Sequence, residues 1–259
     1  MLLQKKMIDK EISNLKTIDT LIRQEQPFAV YRIPGEDTPR LLTQASGSVR
    51  LLYDLKDLDG ARGFVIAPFR ASESCPIVLI QPEQWGQPLP LGEYAEEELE
   101  AFRLRQGRET FSEACTEEYE ACFRTFIEAL RSKQFDKLVL SRKSVIGQCP
   151  GFSPSAVFRA AYKHYIHSYI YLCYTPRTGV WMGSTPEIIL SGEKNEWSTV
   201  ALAGTQPLQD GRLPQEWGEK NRQEQDYVAS YIRRQLLSSG IHPTESGPYP
   251  AYAGALSHL

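Results

Sequence analysis

The sequence has no uninterrupted apolar stretch of membrane-spanning length, no CxxC pair and no excess of positive charge. Each absence removes a class of function. The opening residues, MLLQKKMIDKEISNLK, break their few apolar positions with charges every second or third residue, so neither a signal-peptide core nor a membrane span fits there. The expected location is the cytoplasm. With 29 Lys and Arg against 32 Asp and Glu, for a net charge of -3, nothing draws the chain onto nucleic acid or an anionic membrane. A small molecule is the expected partner.

The cysteines are few and badly placed for covalent or metal work. Cys75, Cys115, Cys122, Cys149 and Cys173 are an odd number without CxxC spacing, which argues against a disulfide framework and a four-thiolate zinc site. They are expected to be reduced and mostly buried. His164 and His167 form an HxxH near a helix end, but no third ligand has zinc-site spacing. No period of 20 to 50 residues repeats and no low-complexity tract occurs, which excludes a solenoid.

What is present is an ordinary globular composition. A chain of 259 residues, 41% hydrophobic and 24% charged, can bury a sizeable core as one large domain or two small ones. An amphipathic stretch from Lys10 to Gln24 predicts a helix, and FAVYRI, GFVIAPF and PIVLIQP predict strands between turn residues. Residues 83–106, rich in Pro, Gly and Glu, read as a connection. Tyr119, Cys122, Phe123, Phe126, Ile127 and Leu130 recur at three- and four-residue spacing, the mark of a one-sided helix over 116–134.

KLVLSRKSVIG then predicts a strand, and Ser153 to His164 a helix opened by Ser-Pro. SYIYLCYTP, GVWMG, EIILSGE and WSTVALAGT predict successive antiparallel strands, and a last helix spans about Gly218 to Leu237. Strands and helices mix without strict alternation, so the fold class is α+β, with large antiparallel or mixed sheets flanked by helices.

Four places could carry chemistry. Lys137 opens an apolar strand, sharing a face with Val139 and Ser141 while Leu138 and Leu140 face away. It is either a strand-end charge reaching solvent or a buried amine. Only burial would bring an amine from its ordinary value of about 10.4 towards a neutral base. Glu187 follows Pro186 and precedes Ile-Ile-Leu, so its carboxylate either enters a buried strand, where a neutral carboxyl could donate a proton, or is capped by turn amides.

In ALAGT, the missing side chain of Gly204 beside Thr205 lets the backbone approach an anion, although Gly-Thr is also common turn chemistry. On the last helix, Asn221, Glu224, Val228 and Tyr231 share a face. Glu224 then either points inward and needs a partner such as a magnesium ion, or is a solvated charge at the edge of the stripe.

Taken in order, Lys137 in FDKLVLSR, Glu187 in GSTPE fifty positions later, ALAGT and the KNRQEQDYV helix resemble the chorismate-utilising enzymes, which include isochorismate, salicylate, anthranilate and aminodeoxychorismate synthases. The resemblance is specific over residues 135–205 and thin before residue 116. It implies the fold of anthranilate synthase component I, with residues 1–115 as a variable leading region and 116–259 as the first part of the catalytic domain.

A lysine at the position of Lys137, and the leucine of ALAGT, mark the members that add water. The resemblance therefore implies an isochorismate synthase, converting chorismate to isochorismate by Mg²⁺-dependent water addition at C2 with loss of the C4 hydroxyl. It implies Lys137 as general base, Glu187 as general acid, Glu224 as a Mg²⁺ ligand, and Gly204, Thr205 and His258, the last within ALSHL, as substrate-binding residues. Many relatives carry an acidic residue in place of Asn221 and histidine in place of Gln225.

Family members continue well past this point, with a second metal-binding glutamate and a glycine-rich loop. The chain is therefore expected to be truncated at its C-terminus and inactive as it stands. Synthases of this type act as monomers by family analogy. Two alternatives remain: a salicylate synthase, which also eliminates pyruvate, and a non-catalytic domain binding chorismate-like acids. Menaquinone and catechol siderophore synthesis are both open as destinations.

Overall fold

The computed structural model describes residues 16–45, 48–83, 86–89, 116–143, 145, 147, 152–253 and 256–259. The elements in the first half are α1 (Lys16–Arg23), β1 (Phe28–Arg32), β2 (Arg40–Thr43), β3 (Arg50–Leu52), β4 (Phe64–Ile66), β5 (Ile77–Ile80), β6 (Gln87–Pro88) and α2 (Thr116–Arg131). They are followed by α3 (Pro154–His164), β7 (Tyr169–Thr175), β8 (Gly179–Thr185), β9 (Ser191–Glu193), β10 (Glu196–Ser198), β11 (Thr205–Pro207), α4 (Glu219–Ser238), β12 (Ala251–Ala253) and β13 (Leu256–His258). Contacts divide the chain into two compact units, Met1–Glu93 with Ser153–Leu259, and Tyr94–Phe152. All described sheets are antiparallel, in keeping with the expected mixture of helices and antiparallel strands.

The larger unit is built on a five-stranded sheet of order β6-β2-β1-β7-β8. FAVYR and YIYLCYT are apolar on both faces because both faces are covered. The register pairs Val30 with Leu172 and Ala29 with Cys173, which puts Val30, Leu172 and Ile170 on one face and Ala29, Tyr31, Tyr171 and Cys173 on the other. Against the second face lies a three-stranded sheet of order β3-β5-β4, whose Ile80 joins Ala29 and Cys173 in a buried cluster walled by Val49, Phe64, Ile66 and Tyr171. This leaves the Val30–Leu172 face to α3, which packs on β7 and on α1 and brings in Phe158 and Ile18, both fully buried.

Polar contacts fix that helical layer. Asp19 of α1 accepts hydrogen bonds from the Ser153 hydroxyl (2.6 Å), the Ser155 hydroxyl (2.7 Å) and the Ser155 amide (3.2 Å) at the N-terminus of α3. A carboxylate there meets unpaired amides and the positive end of the helix dipole. At the other end, the buried guanidinium of Arg32 donates to the carbonyls of Tyr162 and Ser168, each at 3.0 Å, and to that of Tyr165. An arginine that would be costly to bury alone thus satisfies helix-end carbonyls.

β7 and β8 form the expected hairpin over seven paired positions. Gly183, the first residue of GSTPE, faces Tyr171. A Cβ at that position would lie 2.5 Å from the tyrosine ring, so glycine there makes room for the aromatic cluster of Tyr31, Phe64, Tyr169 and Tyr171.

Several expectations are corrected. KLVLSRKSVIG forms no strand at its described positions, because no described strand pairs with it. EIILSGE was expected to be a strand, but Ile188, Ile189 and Leu190 are exposed and only Ser191–Glu193 pairs, with β10. WSTVALAGT splits into the end of β10, an irregular stretch 199–204 and the start of β11. Helix α2 forms within the smaller unit, but its apolar stripe is half-buried at best and Phe123 is exposed. Of the described cysteines, Cys75 and Cys122 are exposed and only Cys173 is buried, against the expectation of mostly buried thiols; all three are unpaired thiols. Cys115 and Cys149 lie outside the described residues.

Candidate active site

Helix α4 supplies one wall of the site. Its N-cap, Gly218, makes no side-chain cap hydrogen bond, and the one buried residue along its twenty is Gln225. The packed face runs through Asn221, Gln225, Val228, Ala229, Ile232 and Leu236, all at least half-buried, whereas Tyr231 is 55% exposed. The inward stripe is therefore centred on Gln225 rather than on the expected line through Glu224 and Tyr231. Glu224 sits half-buried at its rim. The signal was in the sequence as the i, i+4, i+7 and i+11 series Asn221, Gln225, Val228 and Ile232, obscured because a glutamine within it reads as polar surface.

ALAGT packs against this face. The Gln225 amide donates to the Ala201 carbonyl (2.6 Å), and its oxygen accepts from the Ala203 amide (3.0 Å). One turn earlier, the Asn221 backbone closes on Gly204: a Cβ on Gly204 would sit 2.8 Å from the Asn221 carbonyl oxygen. The absent side chain was expected to let an anion approach. In the structure it lets the helix approach.

Gly204 and Thr205 lead into a three-stranded sheet of order β11-β13-β12, in which Thr205 is directly opposite His258. The Gly204 carbonyl accepts from the Leu259 amide (2.9 Å) and lies 3.3 Å from His258 Nδ1. The Thr205 hydroxyl donates to the Ala203 carbonyl (3.2 Å) and lies 3.1 Å from the same Nδ1. These contacts assign the proton of the ring. A carbonyl can only accept, and the threonine proton is already given to Ala203, so Nδ1 must be the donor. His258, buried at 8% exposure, therefore keeps Nε2 as an acceptor in its neutral form.

The tertiary structure thus brings His258 to the adjacent pair Gly204 and Thr205, more than fifty positions earlier in the chain, and sets Gly204 against the helix that carries Glu224. Glu187 stands elsewhere in the same unit, exposed just beyond β8, with its amide donating to the Thr185 hydroxyl oxygen (3.3 Å) in a tight turn. This is the turn alternative rather than the buried-strand one. Lys137 belongs to the other unit and is exposed, the solvent-reaching alternative. Around it burial still alternates, with Leu138 and Leu140 half-buried and Val139 and Ser141 exposed, as the period-two reading expects. Among the described residues, no group of three or more His, Cys, Asp or Glu side chains could hold a metal ion.

Comparison with known families gives a match. A family model described as chorismate binding enzyme matches residues 86–258, a span that contains Lys137, Glu187, the ALAGT segment, α4 and His258. No curated protein matches the chain significantly.

Proposed function

Starting from a chain that belongs to the chorismate-binding enzymes, we propose that it is an isochorismate synthase, adding water at C2 of chorismate as the C4 hydroxyl departs. The observation that carries the reading is the assembly of Gly204, Thr205 and His258 on helix α4, inside the span matched by the family. Lysine at position 137 selects water addition over the ammonia-using chemistry of other members.

In this reading Lys137 takes the proton from the attacking water and Glu187 delivers one to the leaving hydroxyl. A base and an acid in one reaction need different environments, since one must start without its proton and the other with it. His258, with its proton held on Nδ1 by Thr205 and Gly204, offers Nε2 as a fixed acceptor for a substrate hydroxyl. The Gly204–Thr205 turn lines the carboxylate end of the substrate.

The donor chemistry of the site accommodates Mg²⁺ in one respect. Magnesium is held through one or two carboxylates, with water and substrate oxygens completing the shell, and Glu224, half-buried beside the packed face of α4, provides one such oxygen donor. When bound, the ion would neutralise a substrate carboxylate.

The test is product analysis of chorismate with Mg²⁺ and the protein. Isochorismate supports the reading. Anthranilate or aminodeoxychorismate in the presence of ammonia, or no conversion, overturns it, and salicylate with pyruvate replaces it by salicylate synthase. In the same protein, Lys137→Gln should abolish water addition and leave ligand binding intact; unchanged turnover would remove Lys137 as the base. A second reading, chorismate binding without turnover, draws on the exposure of both Lys137 and Glu187. It predicts Mg²⁺-dependent binding with no product.

A further inference from the structure

Buried polar side chains are satisfied or costly, so the partners of a buried amide show what it holds in place. Gln225 is 7% exposed and is the one buried residue of α4. Its two amide atoms are both spent on backbone, Nε2 on the Ala201 carbonyl and Oε1 on the Ala203 amide. These are alternate residues of a stretch, 199–204, that has no strand ladder of its own. The side chain therefore replaces the hydrogen-bonding edge that a neighbouring strand would have given.

The consequences travel one peptide further. Ala203 gives its N–H to Gln225 and its carbonyl to the Thr205 hydroxyl. Because that hydroxyl donates to Ala203, it must accept from His258 Nδ1. Helix α4 grips the same segment a turn earlier, where the Asn221 carbonyl oxygen occupies the space a Cβ on Gly204 would need. Helix and segment are thus registered at two points, one steric and one polar.

Resting on the functional reading above, we propose that Gln225 is a positioning residue of the chorismate site: its amide clamps the backbone at Ala201 and Ala203, and so fixes the Gly204–Thr205 turn and the orientation of the His258 ring. It touches no substrate. Its effect reaches the ligand through Thr205 and His258, as the outer partners of a metal ligand act through that ligand.

Two measurements on one variant separate this role from space filling, because Gln225→Met keeps the length of the side chain and removes both hydrogen bonds.

Chorismate affinity in the presence of Mg²⁺, measured by calorimetry, should fall by about 10–100-fold in Gln225→Met. The ring-nitrogen NMR signals of His258, which report the nitrogen that holds the proton, should move as the contacts of Nδ1 to Thr205 and Gly204 loosen. Unchanged affinity, or lost affinity with the His258 signals unmoved, overturns the proposal. If the wild-type chain binds no chorismate, the functional reading fails. The clamp is then judged by exchange of the Ala203 amide, slow in wild type and fast in Gln225→Met if it stands, equal in both if it does not.

Discussion

β7, YIYLCYT, and the stretch 137–143, KLVLSRK, are both seven residues of strand-like sequence, and they end in opposite states. β7 lies between β1 and β8, its backbone paired on both sides, with Ile170, Leu172 and Cys173 fully buried. In 137–143 no ladder forms, and Val139 is 79% exposed. The lesson is that an apolar, β-branched pattern states only what a segment can do. A strand is made by the neighbouring strand that takes its N–H and C=O groups, and a segment outside any ladder keeps the alternation of its side chains without the structure.

The sharpest test of this contrast is a matched pair of truncations. Leu172→Ala should cost about 2–5 kcal/mol in chemical denaturation, because it opens a cavity between the sheet and α3. Val139→Ala should stay within about 0.5 kcal/mol, as surface substitutions do. Comparable losses at both sites would mean that 137–143 is packed in solution.

Next in size is Gly204→Ala. Where α4 closes on ALAGT, a Cβ would press on the Asn221 backbone, which cannot swing away as a side-chain tip can. A loss of about 1–3 kcal/mol is expected, with α4 and residues 201–205 the first to exchange amide protons. A neutral substitution would break the close packing inferred there.

Titration sharpens the same contrast. Burial between the sheets pushes the Cys173 thiol up from 9.0 to about 12, and burial raises Tyr169 as well. Below about pH 9 the thiol is protonated in both the folded and the unfolded chain, so its contribution to stability is fully present. Between 9 and 12 the unfolded chain releases a proton that the folded chain retains, so this contribution is lost as pH rises. Denaturation midpoints should fall over this window and fall less in Cys173→Ala; an identical decline would remove the thiol from the account. Near neutral pH, an alkylating reagent should modify the exposed Cys75 and Cys122 and spare Cys173.

The smallest effect is expected at the end of α4, where Arg233 meets Glu245 through two contacts of 2.5 and 2.6 Å. The arginine holds the Glu245 carboxyl below its usual range, yet both groups stand in solvent, where ion pairs are screened. Arg233→Ala should leave the melting temperature unchanged within error. A clear fall would show that this pair anchors the helix.

Much of the architecture was legible. The Ser-Pro start of α3, the β7–β8 hairpin and the extent of α4 follow from local rules of capping, turn chemistry and periodicity, and the structure places them where those rules do. The site was legible only in part. Gly204 and Thr205 stood out, but the close approach of the helix to the glycine was not legible, because the backbone that a Cβ there would meet belongs to Asn221, seventeen positions later. Gln225 was passed over, since a glutamine on a polar helix reads as surface until the backbone it holds is seen.

By itself, the sequence determined what depends on neighbours a few residues away: which segments coil, where they start and stop, and which side chains have the chemistry of base, acid or hydroxyl-bearing turn. The tertiary structure decided what depends on distant partners. It fixed which apolar runs become strands, which way α4 faces, and which nitrogen of His258 holds the proton. The physical reason is that hydrogen-bond partners and buried volume are shared between residues far apart in the chain. Thr205 can fix the ring of His258, fifty-three positions away, only after β11 and β13 have paired.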